Sequence, residues 1–167
     1  ATLAAAYYDI RQGLGFNKSP AEYGAFPTDP YSHTPMGSGA RQPGMTGQVK
    51  EEILTRLGEL GVSVQGGALR FAPTLLRREE FLPASAEFTY IDVARQTKTL
   101  PLPPGSLVFT LCQTPVVYVR GAQAKVEVLL ADGRTLAKPG NCLDAATWRA
   151  ILGRDGQVQR LCVTVEM

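Results

Sequence analysis

From Val62 to the end of the chain, short apolar runs alternate with turn signals, and this pattern leaves few folds open. The segment VSVQGGALRF alternates about Gly66-Gly67, the signature of a tight hairpin. Strand-like runs follow at Glu87–Val93, Ser106–Cys112, Pro115–Arg120, Lys125–Ala131, Arg134–Lys138 and Val158–Glu166. Asp132-Gly133 and Asp155-Gly156 supply turns between several of them. Many short strands at regular spacing predict a mainly β chain, an antiparallel β-sandwich or jelly roll. Between strands, TLLRREEFL after Pro73 predicts one helical turn, and Thr147–Leu152 a short helix.

Upstream of this region the texture changes. Residues 46–60, TGQVKEEILTRLGEL, place Val49, Ile53, Leu54, Leu57 and Leu60 at helical spacing, so one amphipathic α-helix is expected there. Thr46 suits an N-cap, Arg56 lies late in the helix as its dipole prefers, and Gly61 supplies the stop. Residues 1–45 keep neither a helical nor a strand period for long and read as a long loop. Their aromatic residues, among them Tyr7, Tyr8, Phe16, Tyr23, Phe26 and Tyr31, are too many for a disordered linker. Long loops without regular structure tend to carry function. The domain reading is therefore a loop-rich segment with its helix over 1–61 and a C-terminal β-sandwich over 62–167.

Composition excludes several classes of partner. Of 167 residues, 17 are basic and 15 acidic, and they are interspersed, so no footprint for nucleic acid is expected. No apolar run approaches the roughly 20 residues that span a bilayer, so no membrane partner is expected either. Ala1 to Ala6 lacks a basic leader, which argues against a signal peptide. The three cysteines, Cys112, Cys142 and Cys162, are widely spaced and include no C-x-x-C. They read as free buried thiols in a reducing, cytoplasmic compartment, without a metal site. The chain begins with Ala rather than Met, which fits a processed protein or a piece of a longer one.

Three elements then recur in a recognisable order: Asp29-Pro30-Tyr31, Thr46-Gly47 opening the helix to Leu60, and Gly67-Ala68-Leu69-Arg70-Phe71-Ala72-Pro73-Thr74-Leu75 opening the β region. This order resembles the C-terminal region of the cellobiose and chitobiose phosphorylase family of six-hairpin glycosidases. The resemblance covers about residues 23–75 by motif and the remainder by β texture. It implies the last helix of an α/α catalytic barrel running into a jelly-roll domain, with carbohydrate as substrate. In that family the Thr-Gly pair contacts inorganic phosphate, a substrate rather than a cofactor. A helix N-terminus at Thr46 and Gly47 would offer free N–H groups to such an anion. Small residues and a Trp follow the family's pair, whereas Gln48, Val49 and Lys50 follow it here. That departure leaves hydrolysis, or no activity, open beside phosphorolysis. The family's general-acid aspartate lies far upstream of the pair. Only 45 residues precede Thr46, so the resemblance places the acid outside this chain and no catalytic residue within it.

The residues themselves allow a sugar cleft in the aromatic N-terminal zone. Sugar sites combine aromatic faces with planar polar groups inside mostly apolar clefts. Asp29, Tyr31, His33, Arg41 and Gln42 are the candidates, with Asp9 also in this zone. Competing structural roles stand beside each: Asp29 before Pro30 is a common turn starter, and a lone loop histidine often makes one structural hydrogen bond. Glu51 and Glu52 are adjacent, point about 100° apart on a helix and cannot form a facing acid pair. Arg77-Arg78-Glu79-Glu80 reads as a solvated charge cluster. Trp148 could serve as a sugar platform but reads as a core plug in Ala-Thr-Trp-Arg-Ala-Ile-Leu, and Tyr118 is the other aromatic to test on the sandwich. Two functional classes follow. One is the C-terminal part of a glycoside hydrolase or phosphorylase-like enzyme, partnered by an upstream catalytic domain of the same polypeptide. The alternative is a non-catalytic carbohydrate-binding or structural module, a homodimer interface included.

Overall fold

A computed structural model of the chain describes residues 2–13 and 46–166, with the side chains of the second helix described from Ile53 onward. The chain divides into two compact units, Ala1–Arg56 and Leu57–Met167. In the first unit, α1 spans Leu3–Gly13, a helix within the stretch expected to be loop. The Ala4-Ala5-Ala6 run explains it, because Ala has the highest helix propensity and needs no packing partner to favour the helix. Leu3 and Ile10 are exposed, whereas Tyr7 and Tyr8 are half-buried. The second helix, α2, spans Thr46–Glu59 and crosses the unit boundary. Its apolar stripe divides in two: Leu60, just past its end, is 3% exposed, whereas Ile53 and Leu54 are exposed. Among the described residues, no helix is long and apolar enough to cross a membrane.

The second unit is mainly β, as the strand spacing predicts. The hairpin β1 (Val62–Gln65) and β2 (Ala68–Phe71) turns through Gly66-Gly67, both at positive φ. Strand β3 (Ala86–Ile91) pairs only with β4 (Thr97–Leu102), a separate two-stranded ribbon. Next come β5 (Ser106–Leu111), β6 (Thr114–Arg120), β7 (Lys125–Leu130) and β8 (Thr135–Pro139). The short β9 (Cys142–Leu143), helix α3 (Ala145–Gly153) and β10 (Val158–Val165) complete the chain.

These strands make a three-stranded sheet of order β1-β2-β9 and a five-stranded sheet of order β5-β6-β10-β7-β8. All pairings are antiparallel except one: β10 lies parallel to β6, Leu161 opposite Val116 through Val165 opposite Arg120. Strand β10 reaches this slot after the α3 crossover, as a parallel neighbour requires a long connection. It is paired on both edges, which suits the near-continuous apolar run from Leu161 to Val165. The two sheets share one core. Leu69, Phe71 and Leu143 of the small sheet join Val116, Tyr118, Val126, Val128, Leu161 and Val163 of the large one, all nearly or fully buried. The Phe71 and Tyr118 rings meet edge to face at 6.0 Å. Each such side chain contributes about 1.5–3 kcal/mol of burial.

Two local devices end α2 and begin α3. Gly61 follows α2 at φ 67, the left-handed conformation that stops a helix. Its carbonyl accepts from the Ala72 N–H at 2.8 Å, and the Tyr118 hydroxyl donates to the Leu60 carbonyl at 2.6 Å. Helix α3 is capped by Asp144, whose carboxylate accepts from the Thr147 N–H at 2.9 Å and pairs with Lys138 of β8.

Candidate functional site

Of the residues singled out in sequence, Asp29, Tyr31, His33, Arg41 and Gln42 lie outside the described residues. Thr46 and Gly47 form the first turn of α2, where backbone N–H groups have no partner within the helix; their side chains lie outside the description. Tyr118 is a core residue rather than a platform, and Trp148 packs on that core as the core-plug reading expects. Tyr118 is 0% exposed, with its hydroxyl committed to Leu60 and its ring flanked by Phe71 and Phe109. Burial holds its phenol well above the usual tyrosine range. Trp148 is half-buried and packs on the same core. The cysteines also differ from expectation. All three are free, but none is fully buried and Cys142 is exposed. Burial, then the charge of Glu127, pushes the Cys162 thiol up, so it is the less reactive form.

The described residues do form a groove of about 580 Å³, at the end of the five-stranded sheet. Phe81, Leu82 and Pro104 form its floor, and Arg78, Glu79 and Arg120 its polar rim. The floor is held rigidly. The Leu82 N–H donates to the Ser106 carbonyl at 2.8 Å, and the Gly105 N–H donates back to Leu82 at 2.7 Å. The Ser106 hydroxyl binds the Pro103 carbonyl at 2.7 Å, which fixes the turn between the ribbon and β5. Arg120, the last residue of β6, lays its guanidinium over the Phe81 ring, 5.5 Å from the centroid.

Charge in the groove is uneven. Arg78 opens a short 3-10 turn, Arg78–Glu80, inside the segment that predicts one helical turn. Glu79 lies 3.6 Å from Arg77, and Glu80 accepts from the Arg77 N–H at 2.8 Å. Among the described residues, no carboxylate lies within ion-pairing distance of Arg78 or Arg120. The charge cluster read as a solvated face thus contributes two residues, Arg78 and Glu79, to a concave site. The Arg120–Phe81 contact has no sequence signal, because it joins residues that only strand pairing brings together.

A second feature lies on the ribbon. Phe88 and Tyr90 alternate on one face of β3, their rings nearly parallel (11°) with centroids 5.9 Å apart. Both are half-buried. Burial, then the charge of Asp92, raises the Tyr90 phenol, with Arg160 opposing. Among the described residues, no cluster of three or more His, Cys, Asp or Glu side chains is placed to hold a metal ion. No protein-family model matches the chain, and no curated protein matches it.

Proposed function

We propose that the chain is the C-terminal part of a carbohydrate-active enzyme of the glycoside hydrolase or phosphorylase type. In this reading the β unit supports a helical catalytic domain of the same polypeptide. Asp29, Tyr31, His33, Arg41 and Gln42 contribute to one edge of the sugar cleft, and Thr46 and Gly47 receive an anion. The observation that carries it is the passage from α2 into the sandwich: the helix stops at Gly61, Leu60 enters the core, and Tyr118 holds the Leu60 carbonyl. A helix feeding without a linker into a β cap is the order that the phosphorylase resemblance requires.

The chemistry then divides between regions. An upstream carboxylic acid protonates the glycosidic oxygen, and phosphate or a base-activated water attacks the anomeric carbon with inversion. Helix-terminal amides at Thr46 and Gly47 would orient the phosphate when it is the acceptor. The test is an assay of this chain and of the full-length gene product on β-glucosides, with and without phosphate. Turnover by the full-length product alone supports the reading. Turnover by this chain at the full-length rate refutes the division of the site.

The Phe88–Tyr90 pair favours a second reading, a non-catalytic carbohydrate-binding module, since aromatic rings side by side on a strand face can pack against sugar C–H groups. Calorimetry against oligosaccharides separates the two. Binding lost on Tyr90→Ala favours the module, whereas binding lost on Tyr31→Ala or Arg41→Ala favours the cleft.

A further inference from the structure

We propose that the groove between Arg78 and Arg120 is a binding site for a small ligand that carries a carboxylate or phosphate on a compact body with one apolar face, such as an acidic or phosphorylated sugar. The site stands on its own geometry and does not depend on the enzyme reading above.

Three observations converge on this class. First, two arginines line one concavity, and Glu79, the acid among its described lining residues, pairs at 3.6 Å with Arg77, which lies outside the lining. The described lining therefore carries more positive than negative charge, in a form suited to oxyanions, since the guanidinium fork matches carboxylate and phosphate geometry. Second, Arg120 is pre-positioned. Its stacking on Phe81 restricts the side chain before any ligand arrives, so less rotamer entropy is lost on binding. Third, the floor is apolar and held by backbone bonds, from the Leu82 N–H to the Ser106 carbonyl and from the Gly105 N–H to the Leu82 carbonyl, with Pro104 adding stiffness. An oxyanion held between the two forks would set the rest of the ligand on Leu82 and Pro104. A volume of about 580 Å³ accommodates a molecule of sugar size.

The experiment titrates the full chain with glucose 6-phosphate, glucuronate, inorganic phosphate and glucose, read by calorimetry and by arginine side-chain and Gly105 amide shifts in NMR. Glucose 6-phosphate and glucuronate are expected to bind with a dissociation constant of about a millimolar, the level that two charge-assisted forks on an open groove support. Glucose should not bind. Arg78→Gln and Arg120→Gln should each weaken binding by roughly tenfold, as for loss of one charge-assisted contact of about 1.4 kcal/mol. Arg149→Gln, on α3, should leave it unchanged, and the amide spectra of the variants report that the fold is intact. The proposal is overturned if neither anionic sugar binds, or if affinity survives both substitutions. Inorganic phosphate binding as tightly as glucose 6-phosphate also overturns it, because the floor would then contribute nothing.

Discussion

Replacing Gly61 with Ala tests the junction on which the β unit closes. At φ 67 an L-residue is strained by about 1–2 kcal/mol. The added methyl also has nowhere to go. It would lie 2.1 Å from the Ala72 carbonyl carbon, 2.2 Å from the Pro73 nitrogen and 2.3 Å from the Ala72 oxygen, all backbone atoms. Relief requires the segment at Ala72 to move, which costs about 1–3 kcal/mol as overpacking. Such movement also strains the 2.8 Å bond from the Ala72 N–H to Gly61, a further 0.5–1.5 kcal/mol or so. The expected loss is roughly 3–6 kcal/mol, a large part of the 5–15 kcal/mol that holds a typical domain together. Gly66→Ala is the matched comparison. Gly66 has φ 57, but its added methyl meets nothing within 4 Å, so only the backbone term of about 1–2 kcal/mol applies. Urea unfolding followed by far-ultraviolet circular dichroism measures both. A Gly61→Ala loss no greater than that of Gly66→Ala would refute the collision argument.

Further substitutions address the core tie and a helix cap. The Tyr118 phenol is kept neutral in the fold and ionises near its ordinary value of 10.0 when unfolded. Above about pH 10 the folded state therefore binds more protons than the unfolded one, and stability falls as pH rises. Tyr118→Phe should remove that part of the alkaline slope, and should cost about 1–3 kcal/mol at neutral pH by leaving the Leu60 carbonyl unpaired. Thermal melts of both proteins from pH 7 to 11 check both effects. Asp144→Ala should cost about 1 kcal/mol through loss of the α3 cap, measured by urea midpoint. Asp144→Asn should recover most of it, because the half-exposed Lys138 pair contributes little and the amide oxygen still caps.

What the sequence alone determined was local. The alternation around Gly66-Gly67, the runs at Ser106–Cys112, Lys125–Ala131 and Val158–Glu166, and the α2 stop at Gly61 each depend on side-chain period or backbone freedom within a few residues. The structure places a strand or a turn at each of them. The two strands that escaped, β4 and β9, have no such signal: TKTLPL is polar with a proline, and Cys142–Leu143 is two residues long. Their backbone groups are satisfied only because β3 and β2 lie alongside. Tertiary structure also decided that β10 runs parallel beside β6, that Tyr118 is a buried tie rather than a platform, and that Arg120 stacks on Phe81 above an apolar floor. Period and propensity act over a turn or a strand. Pairing, burial and the meeting of Arg78 and Arg120 at one groove are set by contacts between residues far apart in the chain, and those exist only once the sheets have closed on their core.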